Sequence, residues 1–135
     1  MSTARFASML VAGTYMYKRQ QNAANLDNTE EPRRAICIME TTPGDIKGVV
    51  HFEQTSMFAN TKITGDFTGL NAGQKHGFHI HQFGNLSKGC VTAGPHYNPH
   101  GMTHGGPDSE TRHVGDLGNV QADSQGNGRY EHSDA

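Results

Sequence analysis

The chain has 135 residues, with 11 Lys+Arg against 13 Asp+Glu, 33% hydrophobic residues and no Trp. A net charge of −2 excludes a polybasic nucleic-acid binder and an acidic tail protein, and no apolar run approaches the ~18 residues that cross a bilayer. The length suits one domain, and 17 glycines point to short strands and tight turns rather than long helices. Two cysteines exclude a disulfide framework while leaving room for one bridge. Histidine is the outlier: nine in all, seven of them between His76 and His113.

In chain order, residues 1–32 read as a leader. Met1 to Leu26 has no acidic residue and three basic ones, Arg5, Lys18 and Arg19, around a short apolar stretch from Phe6 to Gly13. That pattern suits a disordered leader, a secretory signal or an organellar transit peptide. The cytoplasm is the expected compartment, with export or mitochondrial import as the alternatives. From Arg33 the pattern changes to short strands: Arg34–Glu40, Ile46–Glu53, Phe58–Thr68, His76–His81, Val114–Ala122 and Gly128–Ser133. Turns are expected at Thr42–Asp45, at Asn71–Gly73 and at Asp123–Asn127, with a loop around Gln54–Ser56. Between Gln82 and Arg112 periodicity disappears. A loop of that length inside a compact domain needs another source of order. Strands at this spacing predict an antiparallel all-β sandwich or barrel.

The histidines supply that order. His79 and His81 stand two apart in a strand-like segment, so both imidazoles leave the same face while Phe78 and Ile80 turn to the core. His96, His104, His113 and Asp116 then supply three imidazoles and a carboxylate, a sufficient tetrahedral set for Zn²⁺. Glycine and proline at Gly94-Pro95, Gly105-Gly106-Pro107 and Gly115 let the backbone bend around a small ion. His76 reads as a hydrogen-bonding residue and His51 as a surface residue, while His100 and His132 have no assigned partner.

Four segments carry a resemblance: His76-Gly-Phe-His79-Ile-His81-Gln-Phe-Gly, Gly89-Cys90-Val-Thr-Ala-Gly94-Pro95-His96-Tyr-Asn-Pro, His104-Gly-Gly-Pro and Arg112-His113-Val-Gly-Asp116-Leu-Gly-Asn. Together with Ala35–Ile38 and Gly48–Glu53 upstream, they make residues 33–135 resemble the copper–zinc superoxide dismutases. The resemblance implies an immunoglobulin-like Greek-key β-sandwich with about six of the family's eight strands and a long metal-binding loop. It implies copper at His79, His81 and His96, and zinc at His96, His104, His113 and Asp116, with His96 bridging as an imidazolate. It further implies that Cys90 is half of a disulfide tying the loop to the barrel, that Cys37 is a buried free thiol and that His76 is structural. The implied activity is antioxidant: superoxide becomes dioxygen and hydrogen peroxide through copper redox cycling, with His96 helping to deliver a proton. Superoxide is the implied substrate, a second copy and a copper chaperone are the implied partners, and neither nucleic acid nor membrane is expected.

The chain also departs from the family's pattern. Nothing in it matches the family's last two strands, the fourth copper histidine, the arginine that guides superoxide, the second disulfide cysteine or the aspartate linking the metals. Residues 33–135 therefore read as an incomplete domain. The alternative to the enzyme is a truncated zinc- and copper-binding module with weak activity or none.

Overall fold

A computed structural model of the protein describes residues 9–11, 32–41 and 46–135. Among the described residues lie strands β1 (Met9–Val11), β2 (Arg33–Glu40), β3 (Lys47–Gln54), β4 (Thr61–Thr68), β5 (Lys75–Ile80), β6 (Ser87–Cys90), β7 (Asp116–Gln121) and β8 (Gly128–Asp134), with a 3₁₀ turn at Val91–Ala93. The six strands predicted from sequence are β2 to β5, β7 and β8. Their ends move by a few residues; the third begins at Thr61 because residues 55–60 form the loop before it. Most of residues 1–32, and the turn expected at Thr42–Asp45, lie outside the described residues.

One sheet has the order β2-β3-β4-β8 and is antiparallel throughout. The other has the order β1-β5-β7, with β5 and β7 antiparallel and β1 parallel to β5. After β4 the chain crosses over, builds β5 and β7, and returns to lay β8 against β4, an over-and-back path of the Greek-key kind. The fold is thus the all-β, antiparallel Greek-key sandwich that the sequence predicts. The parallel β1 pair is an addition within the segment read as a leader; pairing there runs through the backbone, which hydropathy does not report. Strand β6 went unpredicted for a similar reason, since all four of its residues are exposed and give no alternation to read.

Alternate side chains of the strands fill the space between the sheets. Cys37, Met39, Val50, Ile63 and Phe67 meet Phe78, Leu117, Val120 and Tyr130 in one core. Phe78 is fully buried and takes two edge-on aromatic contacts, with Phe67 at 5.6 Å and with Tyr130 at 4.9 Å. The alternation also sends Ile36 and Ile38 of β2 outward, 56% and 73% exposed, although they sit in the same apolar run as Cys37 and Met39. At one end the β4–β5 and β7–β8 turns are laced together, by Leu70 N–H to Gly126 O at 2.9 Å and Gly73 N–H to Asp123 O at 3.0 Å. His79 of β5 lies on the other side of its sheet from Phe78 and His76.

Candidate metal centre

Three stretches of backbone, far apart in sequence, close into a ring of hydrogen bonds. Ile80 N–H donates to Gly115 O at 2.9 Å, Gly115 N–H to Tyr97 O at 2.9 Å, and Tyr97 N–H to Ile80 O at 2.8 Å. The neighbours of these three residues are His79 and His81, His96, and Asp116. The backbone ring therefore gathers the candidate ligands before any metal is considered. It closes only because residue 115 is glycine: a Cβ there would stand 2.3 Å from Ile80 O and 3.0 Å from Tyr97 N. A β-bulge completes the alignment. Between the pairs Gly77↔Asn119 and His79↔Asp116, β7 holds one residue more than β5, and Gly118 takes a φ of +86° that suits glycine. The bulge puts Asp116 opposite His79.

Asp116 is fully buried and is the hub of the donor set. Its Oδ1 lies 2.7 Å from His96 Nδ1 and 3.3 Å from His113 Nδ1, and its Oδ2 lies 3.0 Å from His104 Nδ1. Oδ2 also accepts the backbone N–H groups of Gly105 at 3.1 Å and of His113 at 2.9 Å. Burial alone would push the carboxyl upward, but the hydrogen bonds from Gly105, His113, His96 and His104 hold it well below the usual carboxylate range. One ligand atom from each of His96, His104, His113 and Asp116 falls within 4.8 Å of the others. A tetrahedral ion with bonds of ~2.0–2.3 Å fits such a cluster.

The nitrogens of the HxH pair are placed differently. His81 Nδ1 is bonded to Gly94 O at 2.8 Å, so it carries the proton and leaves the lone pair on Nε2. That Nε2 is buried with no hydrogen-bond partner, as is Nδ1 of His79. Buried imidazole nitrogens left unpaired cost stability unless something coordinates them. The His79 ring stacks on that of His96 at 4.1 Å, and the His81 ring meets His96 edge-on at 5.2 Å. His104 and His113 approach His96 at 5.3 and 5.6 Å, and His104 also meets His79 edge-on at 5.7 Å. His96 is thus central to both sets. Burial, reinforced by the neighbouring His96, lowers the His79 pKa from 6.5 to about 4 against the opposing pull of Asp116.

The remaining sequence candidates fall outside this cluster. His76 is buried on the core side, with Nε2 3.3 Å from Asn71 O at the turn before β5. His51 and His100 are exposed, and His132 sits on β8 with Nε2 4.0 Å from Asp134. The disulfide implied for Cys90 is not formed: Cys90 is a free, exposed thiol at the end of β6, and Cys37 is a free thiol buried in β2. Three functional contacts had no sequence signal, namely the Gly94 carbonyl under His81, the Tyr130 hydroxyl on Leu117 O, and Arg112. The first two join residues 13 positions apart, and Arg112 reaches as far as Asp134, 22 positions away, through geometry that periodicity does not encode.

An antiparallel Greek-key sandwich with an imidazole- and carboxylate-lined centre on its β5–β7 sheet defines a β-sandwich metalloprotein. The profile of the family described as copper/zinc superoxide dismutase (SODC) matches residues 46–135. The chain belongs to that family. It is 59% identical over 98 residues to a Cu-Zn superoxide dismutase of Claviceps purpurea (strain 20.1), covering 71% of this chain and 62% of that protein. It is 45% identical over 115 residues to one of Paramecium bursaria Chlorella virus 1, covering 85% of this chain and 58% of the relative. An extracellular Cu-Zn superoxide dismutase of Brugia pahangi is 46% identical over 100 residues, covering 74% of this chain and 49% of the relative. The chain thus spans about half to three-fifths of the length of these relatives.

Proposed function

We propose that this chain carries the metal-binding core of a superoxide-dismuting enzyme, with zinc at His96, His104, His113 and Asp116 and copper at His79, His81 and His96. Copper, when bound, would supply the one-electron exchange that oxidises one superoxide to dioxygen and reduces a second, with two protons, to hydrogen peroxide. The chain's own residues prepare for this. The bond from His81 Nδ1 to Gly94 O presents Nε2 as a ligand, and the low pKa of His79 keeps its ring uncharged at neutral pH, as a metal ligand must be. Asp116 stays ionised and draws His96 Nδ1 to the four-donor cluster, which leaves Nε2 of the same ring for copper or for a proton. His104, 59% exposed, marks the solvent-facing side of the cluster. The observation that carries the reading is the pair of buried, unpartnered nitrogens, His79 Nδ1 and His81 Nε2, beside the four-donor cluster.

The alternative, a zinc- and copper-binding module with little or no dismutation, rests on the same donor set. Loading the chain with zinc alone and with both metals, followed by pulse-radiolysis decay of superoxide, separates the two. The enzyme reading expects faster decay only with copper, abolished in His81→Ala. Stoichiometric binding of both metals with no acceleration would leave the module. In either case we take superoxide as the small-molecule ligand class, a second copy and a copper chaperone as partners, and the cytoplasm as compartment. Sedimentation and cell fractionation test the last of these, against the extracellular naming of one relative.

A further inference from the structure

Among the described residues, Arg112 and Asp134 form an ion pair unlike the other pairs of Lys or Arg with a carboxylate. The pairs Arg34–Glu53, Lys47–Glu40 and Lys62–Glu131 have side chains more than half exposed, whereas Arg112 and Asp134 are 16% and 14% exposed. Surface pairs contribute little, and an enclosed pair costs desolvation that only good geometry repays. The geometry here is a fork. Arg112 Nη2 donates to Asp134 Oδ1 on β8, while Nη1 reaches the carbonyls of His113 at 3.3 Å, Val114 at 3.4 Å and Asp116 at 3.2 Å. These carbonyls belong to the corner that carries two of the four zinc candidates, His113 and Asp116. Among the described residues, the corner stands at the β7 edge of the β1-β5-β7 sheet. The next carbonyl, Leu117 O, is likewise satisfied from β8, by the Tyr130 hydroxyl at 2.7 Å.

We propose that Arg112, held by Asp134, is a positioning residue that fixes the His113–Asp116 corner against β8 and so sets the zinc affinity of the centre. The assignment rests on the zinc site proposed above. It is asymmetric between the metals. His79 and His81 flank Ile80 at the end of β5 and touch the clamped corner only through the Ile80–Gly115 backbone bond and the His79↔Asp116 pairing, while the His81 tautomer is set by Gly94 O. The Arg112–Asp134 pair therefore acts directly on the four-donor cluster and only at second hand, through Gly115, on the paired histidines.

Arg112→Lys and Asp134→Asn in the full chain test this, with Asp116→Ala as reference. Zinc affinity is read by competition with a chromophoric chelator. The visible spectrum of bound Co²⁺ reports coordination geometry, and copper paramagnetic resonance on zinc-free protein reads the His79–His81 side. Each conservative variant should weaken zinc about ten- to a hundredfold, the range for partners that orient ligands. The double variant should lose no more than the weaker-binding single variant, because the two residues act as one unit. The Co²⁺ spectrum should change, and copper affinity should fall by a clearly smaller factor than zinc affinity. Zinc affinity within about twofold of the parent in both single variants would overturn the clamp. So would parallel losses of zinc and copper affinity with a lowered metal-free melting temperature, the signature of general loosening. Asp134→Asn keeps the size of the side chain and an acceptor oxygen, so it still reads the pair if Arg112→Lys does not fold. Unchanged zinc binding in Asp116→Ala would overturn the zinc assignment itself, and the clamp with it.

Discussion

At His79, burial and a crowd of imidazoles outweigh the attraction of Asp116, and the ring is neutral down to a pH of about 4. The unfolded chain takes a proton there near pH 6.5. A lowered pKa in the folded state means that stability is complete above the higher value and is lost as pH falls through the lower one. The metal-free protein should lose on the order of 2 kcal/mol from this ring between those two values. Urea midpoints across that pH window should therefore fall less steeply for His79→Asn than for the parent; equal slopes would show a ring that is charged in the folded chain. Tyr130 behaves in the opposite sense. Burial, with Asp134 nearby, pushes its hydroxyl up to about 12 from an ordinary 10. Its contribution is intact below pH 10 and is lost as pH rises towards 12. Tyr130→Phe should cost about 1–3 kcal/mol by leaving Leu117 O unpaired, and should delete the last-titrating component of the tyrosinate absorbance.

Among the elements, the decisive junction is the ring of hydrogen bonds joining Ile80, Tyr97 and Gly115. It ties down a loop without periodicity, and this backbone pairing adds to the order expected of residues 82–112 from His96, His104 and Cys90. Backbone pairing, including the His81↔His96 bridge, already holds the two ends of the His81–His96 stretch together. Gly115→Ala puts a methyl group 2.3 Å from Ile80 O and must separate these segments. It should abolish zinc binding and also weaken copper, because both ligand sets hang on the same ring. Titration of each metal into the variant checks this. Retention of either affinity would mean that the ligands, not the backbone, gather the site. Glycines before His96 and around Asp116 were legible as bend points, but the reason for Gly115 lay in Ile80 O, 35 positions away.

For the whole molecule, the consequence of a buried donor set is linkage between metal and stability. An ion that binds only the folded chain stabilises it by about 2.7 kcal/mol at a hundredfold excess over its Kd. For a domain near 100 residues, that raises the melting temperature by roughly 10–20 °C. Zinc should produce such a rise in the parent and none in Asp116→Ala, and the rise should shrink on acidification as protons compete for the imidazoles. Scanning calorimetry with and without zinc measures it. The same scale brings β1 into view: pairing in parallel with β5, it covers a strand edge that would otherwise present free backbone groups.

The sequence by itself determined the class of fold and the chemistry of the centre. Strand alternation separates His79 and His81 from Phe78, and three imidazoles with a carboxylate admit few metals whatever their arrangement. Local spacing carries such information because side-chain direction in a strand depends only on parity. The tertiary structure alone decided which nitrogen of each ring is free, why Asp116 stays ionised, that Cys90 and Cys37 stand apart, and that Arg112 reaches Asp134. Those outcomes depend on hydrogen bonds and burial between residues distant in the chain. A one-residue bulge at Gly118 or a single missing Cβ at Gly115 shifts them while leaving the hydropathy pattern unchanged.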